Sequence, residues 1–210
     1  MDGLLIDSEP LWHEAEVEIF GGLGLPVQRD DTRETKGMFV DEVTNHWFSR
    51  YPWEGPLPAQ VASQIVDRVG ELTLSHGQIL PGAVETVAAM ATRGPIALAS
   101  STPHRLIRVV LDHIGLLDAF EVICSAEDEG WGKPHPAVFL TAAAQLGVDA
   151  RRCVVFEDSP AGVLAAKAGR MFCIAVPEDE DAAAPEIQLA DVIVPSLAVL
   201  DLDRVDALFL

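Results

Sequence analysis

From Leu80 onward, short apolar runs alternate with helix-like stretches, and this alternation constrains the fold more than any other feature of the chain. The runs are PIALAS (95–100), EVICSA (121–126), CVVFED (153–158), CIAVP (173–177) and DVIVPS (191–196). Between them lie GAVETVAAMATR, PHRLIRVVLDHIG, PAVFLTAAAQLG and AGVLAAKAG. A strand that is apolar at consecutive positions is buried on both faces, and a helix after each strand returns the chain to its start. Together these predict a parallel sheet covered on both sides, an α/β fold of Rossmann-like topology. Pro136 suits the first turn of a helix, and Gly147 and Gly169 fall where helices should stop.

Residues 10–78 have a different texture. LWHEAEVEIFGGLG, FVDEVTNHWFSRY and AQVASQIVDRVGELTLSH carry apolar residues at helical spacing, separated by Gly24, Pro52, Gly55, Pro56 and Pro58. The predicted organisation is therefore a discontinuous α/β core, residues 1–9 plus 79–210, with a helical insertion at 10–78. The 210 residues suit one domain with such an insertion.

Charge narrows the function. Fourteen Lys and Arg against 33 Asp and Glu leave a net charge of −19. Such a chain is repelled by phosphate backbones and anionic lipid, which argues against nucleic-acid and membrane-surface partners. A small anionic substrate is still accessible, because one metal ion and one lysine reverse the sign locally. Cys124, Cys153 and Cys173 are scattered through apolar runs and read as reduced core residues. The start, MDGLLIDSEP, lacks the pattern of a signal peptide, and no run reaches the length of a membrane span, so the expected compartment is the cytoplasm.

In an open parallel sheet, ligands bind beyond the carboxyl ends of the strands. Ser100, Ser101 and Thr102 follow PIALA, Gly132-Lys133-Pro134 comes soon after EVICSA, Glu157 and Asp158 follow CVVF, and Asp2-Gly3 precedes LLID. Hydroxyl, ammonium and carboxylates converging on one edge suit an anionic ester and a hard divalent cation. Taken singly, each also has a structural reading. Ser100 suits a helix cap, Lys133 a solvated loop, and Glu157-Asp158 or Asp2-Gly3 a turn.

The segments MDGLLIDSEP (1–10), IALASST (96–102), GKPHPAVF (132–139) and VVFEDSPAGVLAAKAGR (154–170) resemble the haloacid dehalogenase superfamily, in the subgroup containing β-phosphoglucomutase. The 10–78 segment most resembles that of bacterial hexitol and 2-deoxyglucose-6-phosphate phosphatases. The resemblance implies an Mg²⁺-dependent phosphatase of small sugar or polyol phosphates, acting through an aspartyl-phosphate. It implies Asp2 as general acid and base, with its main-chain carbonyl on the metal. Ser100 would bind the phosphoryl group with Ser101 and Thr102 beside it, Lys133 would offset negative charge, and Glu157 and Asp158 would serve the Mg²⁺. It also implies that residues 10–78 form a cap hinged near Ser8–Pro10 and Gly77–Pro81, offering Glu9, Trp12 and Lys36, and further Met38 and Trp47, to the substrate. Trp12 and Trp47 equally suit a helical core, and Lys36 a surface.

The family motif is Asp-x-Asp-Gly with the first Asp as nucleophile. Met1 stands at x and Asp2 at the second Asp, so the nucleophile is expected just before Met1, together with a central strand. The chain by itself is therefore expected to be inactive, with two interior strand edges left open. Asp7 lies beyond LLI and is a poor substitute on geometric grounds. A β-phosphoglucomutase-like phosphotransferase and a non-catalytic sugar-phosphate binding protein are the rival readings. A monomer is expected.

Overall fold

In the computed structural model, residues 1–35, 37–201 and 205 are described. The apolar runs form strands β3 (Ala97–Ser100), β4 (Val122–Ser125), β5 (Val154–Glu157), β6 (Phe172–Ala175) and β7 (Val192–Ile193). Helices α4 (Ala83–Ala91), α5 (His104–His113), α6 (Ala137–Gln145) and α7 (Pro160–Ala168) alternate with them. Local chemistry sets their limits. Ser159 caps α7, its Oγ accepting the Gly162 amide at 3.1 Å, with Pro160 in the first turn. Gly147 takes a left-handed φ of 69° just past α6. Past α7 the left-handed residue is Arg170 (φ 59°) rather than Gly169, because the Met171 amide closes the turn on the Ala166 carbonyl at 3.0 Å.

All pairings among β3 to β7 are parallel, and the pleat divides their side chains between two layers. Leu98, Ile123 and Phe156 join the apolar cluster that holds Ala83 and Val87 of α4 and Leu106, Ile107, Val110 and Leu111 of α5. Ala97, Ala99, Cys124, Val155, Cys173 and Ala175 face the other way, onto Val138, Phe139, Ala142 and Ala143 of α6 and Val163, Ala165 and Ala166 of α7. This is the expected sheet with both faces covered. Cys124 and Cys173 are buried and Cys153 half-buried, all three as free thiols.

The strands fall into two ladders, β3-β4 and β5-β6-β7, and β3 does not pair with β5. Both ladders feed the same two apolar clusters, so they are halves of one layer. The Met1–Gly3 segment lies between their carboxyl ends: Asp2 is bonded to Thr102, just past β3, and Gly3 abuts Asp158, just past β5.

The helical segment comprises α1 (Glu9–Gly22), α2 (Val40–Arg50) and α3 (Pro58–His76). In α3, Val61, Ala62, Ile65, Val66, Val69, Leu72 and Thr73 form one buried stripe at helical spacing. Arg68 of α3 reaches Glu18 of α1 at 2.9 Å and His76 approaches Glu14 at 3.8 Å, which makes the two helices antiparallel. Trp47 is 1% exposed and packs with Phe20 and Tyr51 at ring separations of 6.1 and 6.2 Å, so it belongs to this core. The chain enters and leaves through a two-residue antiparallel ribbon, β1 (Ile6–Asp7) and β2 (Gln78–Ile79), pairing Ile6 with Ile79 and Asp7 with Gln78. Among the described residues, no helix is long and apolar enough to cross a membrane.

One buried acid strains this packing. Glu16 of α1 is 7% exposed, and its Oε2 has no hydrogen-bond partner among the described residues. Burial, then the nearby charge of Glu9, pushes its pKa from 4.5 up to about 8. Below the lower value both folded and unfolded chains keep the proton. Between the two values only the folded chain keeps it, so stability drains away as pH rises, and above the upper value the loss is complete. Glu16→Gln removes this dependence. In thermal melts the variant should gain several degrees over the parent near pH 8 and little or nothing near pH 4. An equal difference at both pH values would refute the assignment.

Candidate functional site

Parallel pairing brings the carboxyl ends of the strands to one edge. Ser100 ends β3, in register with Ser125 at the end of β4, and Glu157 ends β5, in register with Ala175 of β6. Ser100 is 4% exposed, and its Oγ accepts the Thr102 amide at 3.1 Å, which bends the chain through Ser101 at the strand tip. The Ser125 hydroxyl donates to the Thr102 carbonyl at 2.7 Å, tying the tips of β3 and β4 together.

Asp2 is held at this edge by three donors. Its Oδ1 accepts from Ser8 Oγ at 2.7 Å and Trp12 Nε1 at 3.3 Å, and its Oδ2 accepts from Thr102 Oγ1 at 2.7 Å. The donors come from the approach to α1, its first turn and the end of β3. One carboxylate thus joins the start of the chain to the helical segment and to the strand edge, with lone pairs on both oxygens engaged.

Lys133 and the Glu157-Asp158 pair form the second part. The Lys133 ammonium is ion-paired with Glu157 Oε1 and lies 4.9 Å from the centre of the Phe139 ring. Glu157 Oε2 accepts from Ser159 Oγ at 3.1 Å. Burial alone would raise the Glu157 pKa, but the charge and hydrogen bond of Lys133 outweigh it and hold the group below the ordinary carboxylate range. At Asp158, burial, then the Glu157 charge, pushes the pKa up to about 7, and the charges of the Met1 amino group and Lys133 pull the other way but are outweighed. With Asp2 at the same edge, three carboxylates thus face the Lys133 ammonium and the Met1 amino group, leaving local negative charge that a cation would neutralise.

The backbone is shaped around these acids. An ideal Cβ on Gly3, at φ 62°, would stand 2.4 Å from Asp158 Oδ2, and one on Gly162 would stand 1.9 Å from Glu157 Oε2. Only glycine permits carboxylates to sit so close to the main chain at these positions. Hard oxygen donors, excess negative charge and glycine cradles fit a dication such as Mg²⁺.

Asp2, Ser100, Ser101, Thr102, Lys133, Glu157 and Asp158 therefore share one edge. Trp12 joins them through its indole N–H. Glu9 lies in the first turn of α1, with Oε1 3.1 Å from His13 Nε2. Met38 is exposed, and Lys36 lies outside the described residues. Asp7 is paired in the β1-β2 ribbon. Sequence reasoning missed Ser8 and Ser159 as partners of the acids and Gly162 as a cradle. Ser159 before Pro160 was recognisable as a helix cap, whereas Ser8 carried no signal beyond its place at the hinge. Another group, His104, Glu127 and Asp128, brings ligand atoms within 4.8 Å of one another. It lies near the surface, with His104 Nε2 2.7 Å from Asp128 Oδ2.

A model of the haloacid dehalogenase-like hydrolase family matches residues 1–170. Hexitol phosphatase B of Escherichia coli strain K12 is 42% identical over 202 residues, covering 95% of this chain and 91% of that protein. Validoxylamine A 7'-phosphate phosphatase of Streptomyces hygroscopicus subsp. limoneus is 29% identical over 199 residues, covering 94% and 91%. Among solved structures, a CbbY mutant from Rhodobacter sphaeroides in complex with xylulose-(1,5)bisphosphate superposes with a TM-score of 0.85 at 25% identity, covering 95% of this chain and 93% of that one. With its strand-edge acids, lysine and hydroxyls in place, this chain belongs to the haloacid dehalogenase-like hydrolase family.

Proposed function

We propose that this protein is an Mg²⁺-dependent phosphatase of small sugar or polyol phosphates, working through an aspartyl-phosphate. The observation that carries the reading is the single edge where Asp2, Ser100, Lys133, Glu157 and Asp158 meet. Similarity to hexitol phosphatase B supports the substrate class.

Phosphoryl transfer depends mainly on positioning and charge stabilisation. Ser100 and the Ser101 amide offer donors to the phosphoryl oxygens, and Lys133 offers positive charge beside them. Glu157, Asp158 and the Asp2 carbonyl would hold Mg²⁺, which when bound supplies charge against the transferring phosphoryl group. Asp2 would give a proton to the departing alkoxide and later take one from the attacking water. Residues 10–78 would act as a cap that excludes water, and the bonds from Ser8 and Trp12 to Asp2 would couple its position to the acid. In the family motif the attacking carboxylate stands two residues before the position that Asp2 occupies.

The test is phosphate release from a hexitol phosphate and from p-nitrophenyl phosphate, with Mg²⁺ and with a chelator. It is run on the 210-residue chain and on one extended by an apolar segment ending in Phe-Asp. Turnover is expected from the extended chain with Mg²⁺ present, and Asp2→Asn in that chain should lower kcat by about 10² or more. Binding without turnover in every form would favour a sugar-phosphate binding protein, and undiminished turnover by Asp2→Asn would remove that residue from proton transfer.

Gly3→Ala tests the acid cradle. The added methyl must displace Asp158, so Mg²⁺ should stabilise the variant against heat far less than it stabilises the parent. Equal stabilisation of both would show that Asp158 does not need this geometry to meet the ion.

A further inference from the structure

Trp131 is placed unlike the other tryptophans. Trp47 is buried, Trp12 bonds to Asp2 and Trp53 bonds to the Pro56 carbonyl, whereas Trp131 is 70% exposed between Gly130 and Gly132. Tryptophan is ordinarily well buried, so a bare indole is an informative exception. It borders a cleft of about 520 Å³ between the start of α2 and the loop that carries Lys133. That volume is in the range of small-molecule sites, which run from roughly 300 to 1,000 Å³.

The cleft has two kinds of wall. Trp131 and Phe39 supply aromatic surface, and the Phe39 ring lies so close to Gly132 that a Cβ there would stand 1.8 Å from it. Glu42 and His135 supply polar groups. The His135 Nδ1 accepts the Ala137 amide at 3.2 Å, so the neutral ring carries its proton on Nε2 and offers a donor. Glu42 Oε2 accepts the Phe39 amide at 3.1 Å, which fixes the carboxylate at the cleft. Lys133 lines the cleft and its ammonium pairs with Glu157, so this one residue borders both the cleft and the strand-edge site.

We propose that this cleft is the subsite for the hydroxylated carbon chain of the substrate, with Trp131 as its stacking platform. The inference rests on the phosphatase reading and adds the place and chemistry of leaving-group recognition. A polyol chain has C–H faces that lie flat on an indole, and hydroxyls that accept from an imidazole N–H and donate to a carboxylate. It is also uncharged, so the net charge of −19 does not repel it. With its phosphate beside Lys133, a six-carbon chain would have the length to reach Trp131 and a three-carbon chain would reach less of the cleft.

The experiment is calorimetric titration, with Mg²⁺ present, of the parent, Trp131→Ala and Trp131→Phe chains. The probes are inorganic phosphate, glycerol phosphate and a hexitol phosphate. Trp131→Ala should weaken hexitol phosphate about five- to tenfold, glycerol phosphate less and inorganic phosphate not at all, with Trp131→Phe restoring most of the loss. Equal hexitol phosphate binding by the parent and Trp131→Ala overturns the platform and leaves the phosphatase reading standing. Equal weakening of all three probes also overturns it, because Trp131 would then act only by holding the Lys133 loop. A parent that prefers no hexitol phosphate over inorganic phosphate refutes the polyol reading, and the platform with it.

Discussion

The pairing of the buried Glu157 carboxylate with the Lys133 ammonium, beside half-buried Asp158, is the constraint around which the rest of this molecule is arranged. Glu157 is buried and Asp158 beside it half-buried, and the Lys133 ammonium and the Met1 amino group act on both. Isolated buried charge is costly, and an arrangement with one charge too many persists only where something else relieves it. Lys133 settles Glu157, and Asp158 is left holding its proton near neutrality. The same imbalance that would burden a structural core suits a site that takes up a cation and a phosphate ester together.

Holding those groups takes segments far apart in the chain. The Asp2 carboxylate meets Thr102 one hundred positions away, and Gly3 admits Asp158 only because it has no side chain. Parallel strands make this economical: each crossover returns the chain to the same side, so every strand delivers its next residue to the same edge. The flanking helices keep that edge rigid by burying alternate residues of each strand in opposite layers.

Much of this was legible in the sequence. The apolar runs are continuous enough to show strands buried on both faces, and the rule for strand ends then singled out Ser100, Lys133, Glu157 and Asp158. Other features left no pattern to read. A ribbon of two residues per strand is too short for any periodicity, so β1 and β2 were visible only as a hinge. The meeting of Phe39 with Gly132 is a contact between distant loops, and glycine leaves no trace of what approaches it. Strand pattern reports which faces are buried but not which strands are lateral neighbours, and so the division into two ladders, with β3 and β5 unpaired, emerged only from the coordinates. Glu16 carries no signal in the sequence, because a lone acid in a helix gives no hint that its surroundings are dry.

The slender β1-β2 ribbon has a mechanical consequence. Two residue pairs make a joint with little stiffness of its own, so the resting attitude of the three helices is governed by whatever they touch beyond it. The broadest touch is that of α3 on α5: Val61, Ile65, Val66 and Val69 share one apolar cluster with Leu106, Ile107, Val110 and Leu111. Arg105 of α5 pairs with Asp67 of α3 and donates to the Ser63 carbonyl at 3.0 Å. The three helices are therefore seated on the flank of the sheet by a greasy saddle, and the ribbon serves as a tether rather than as their support.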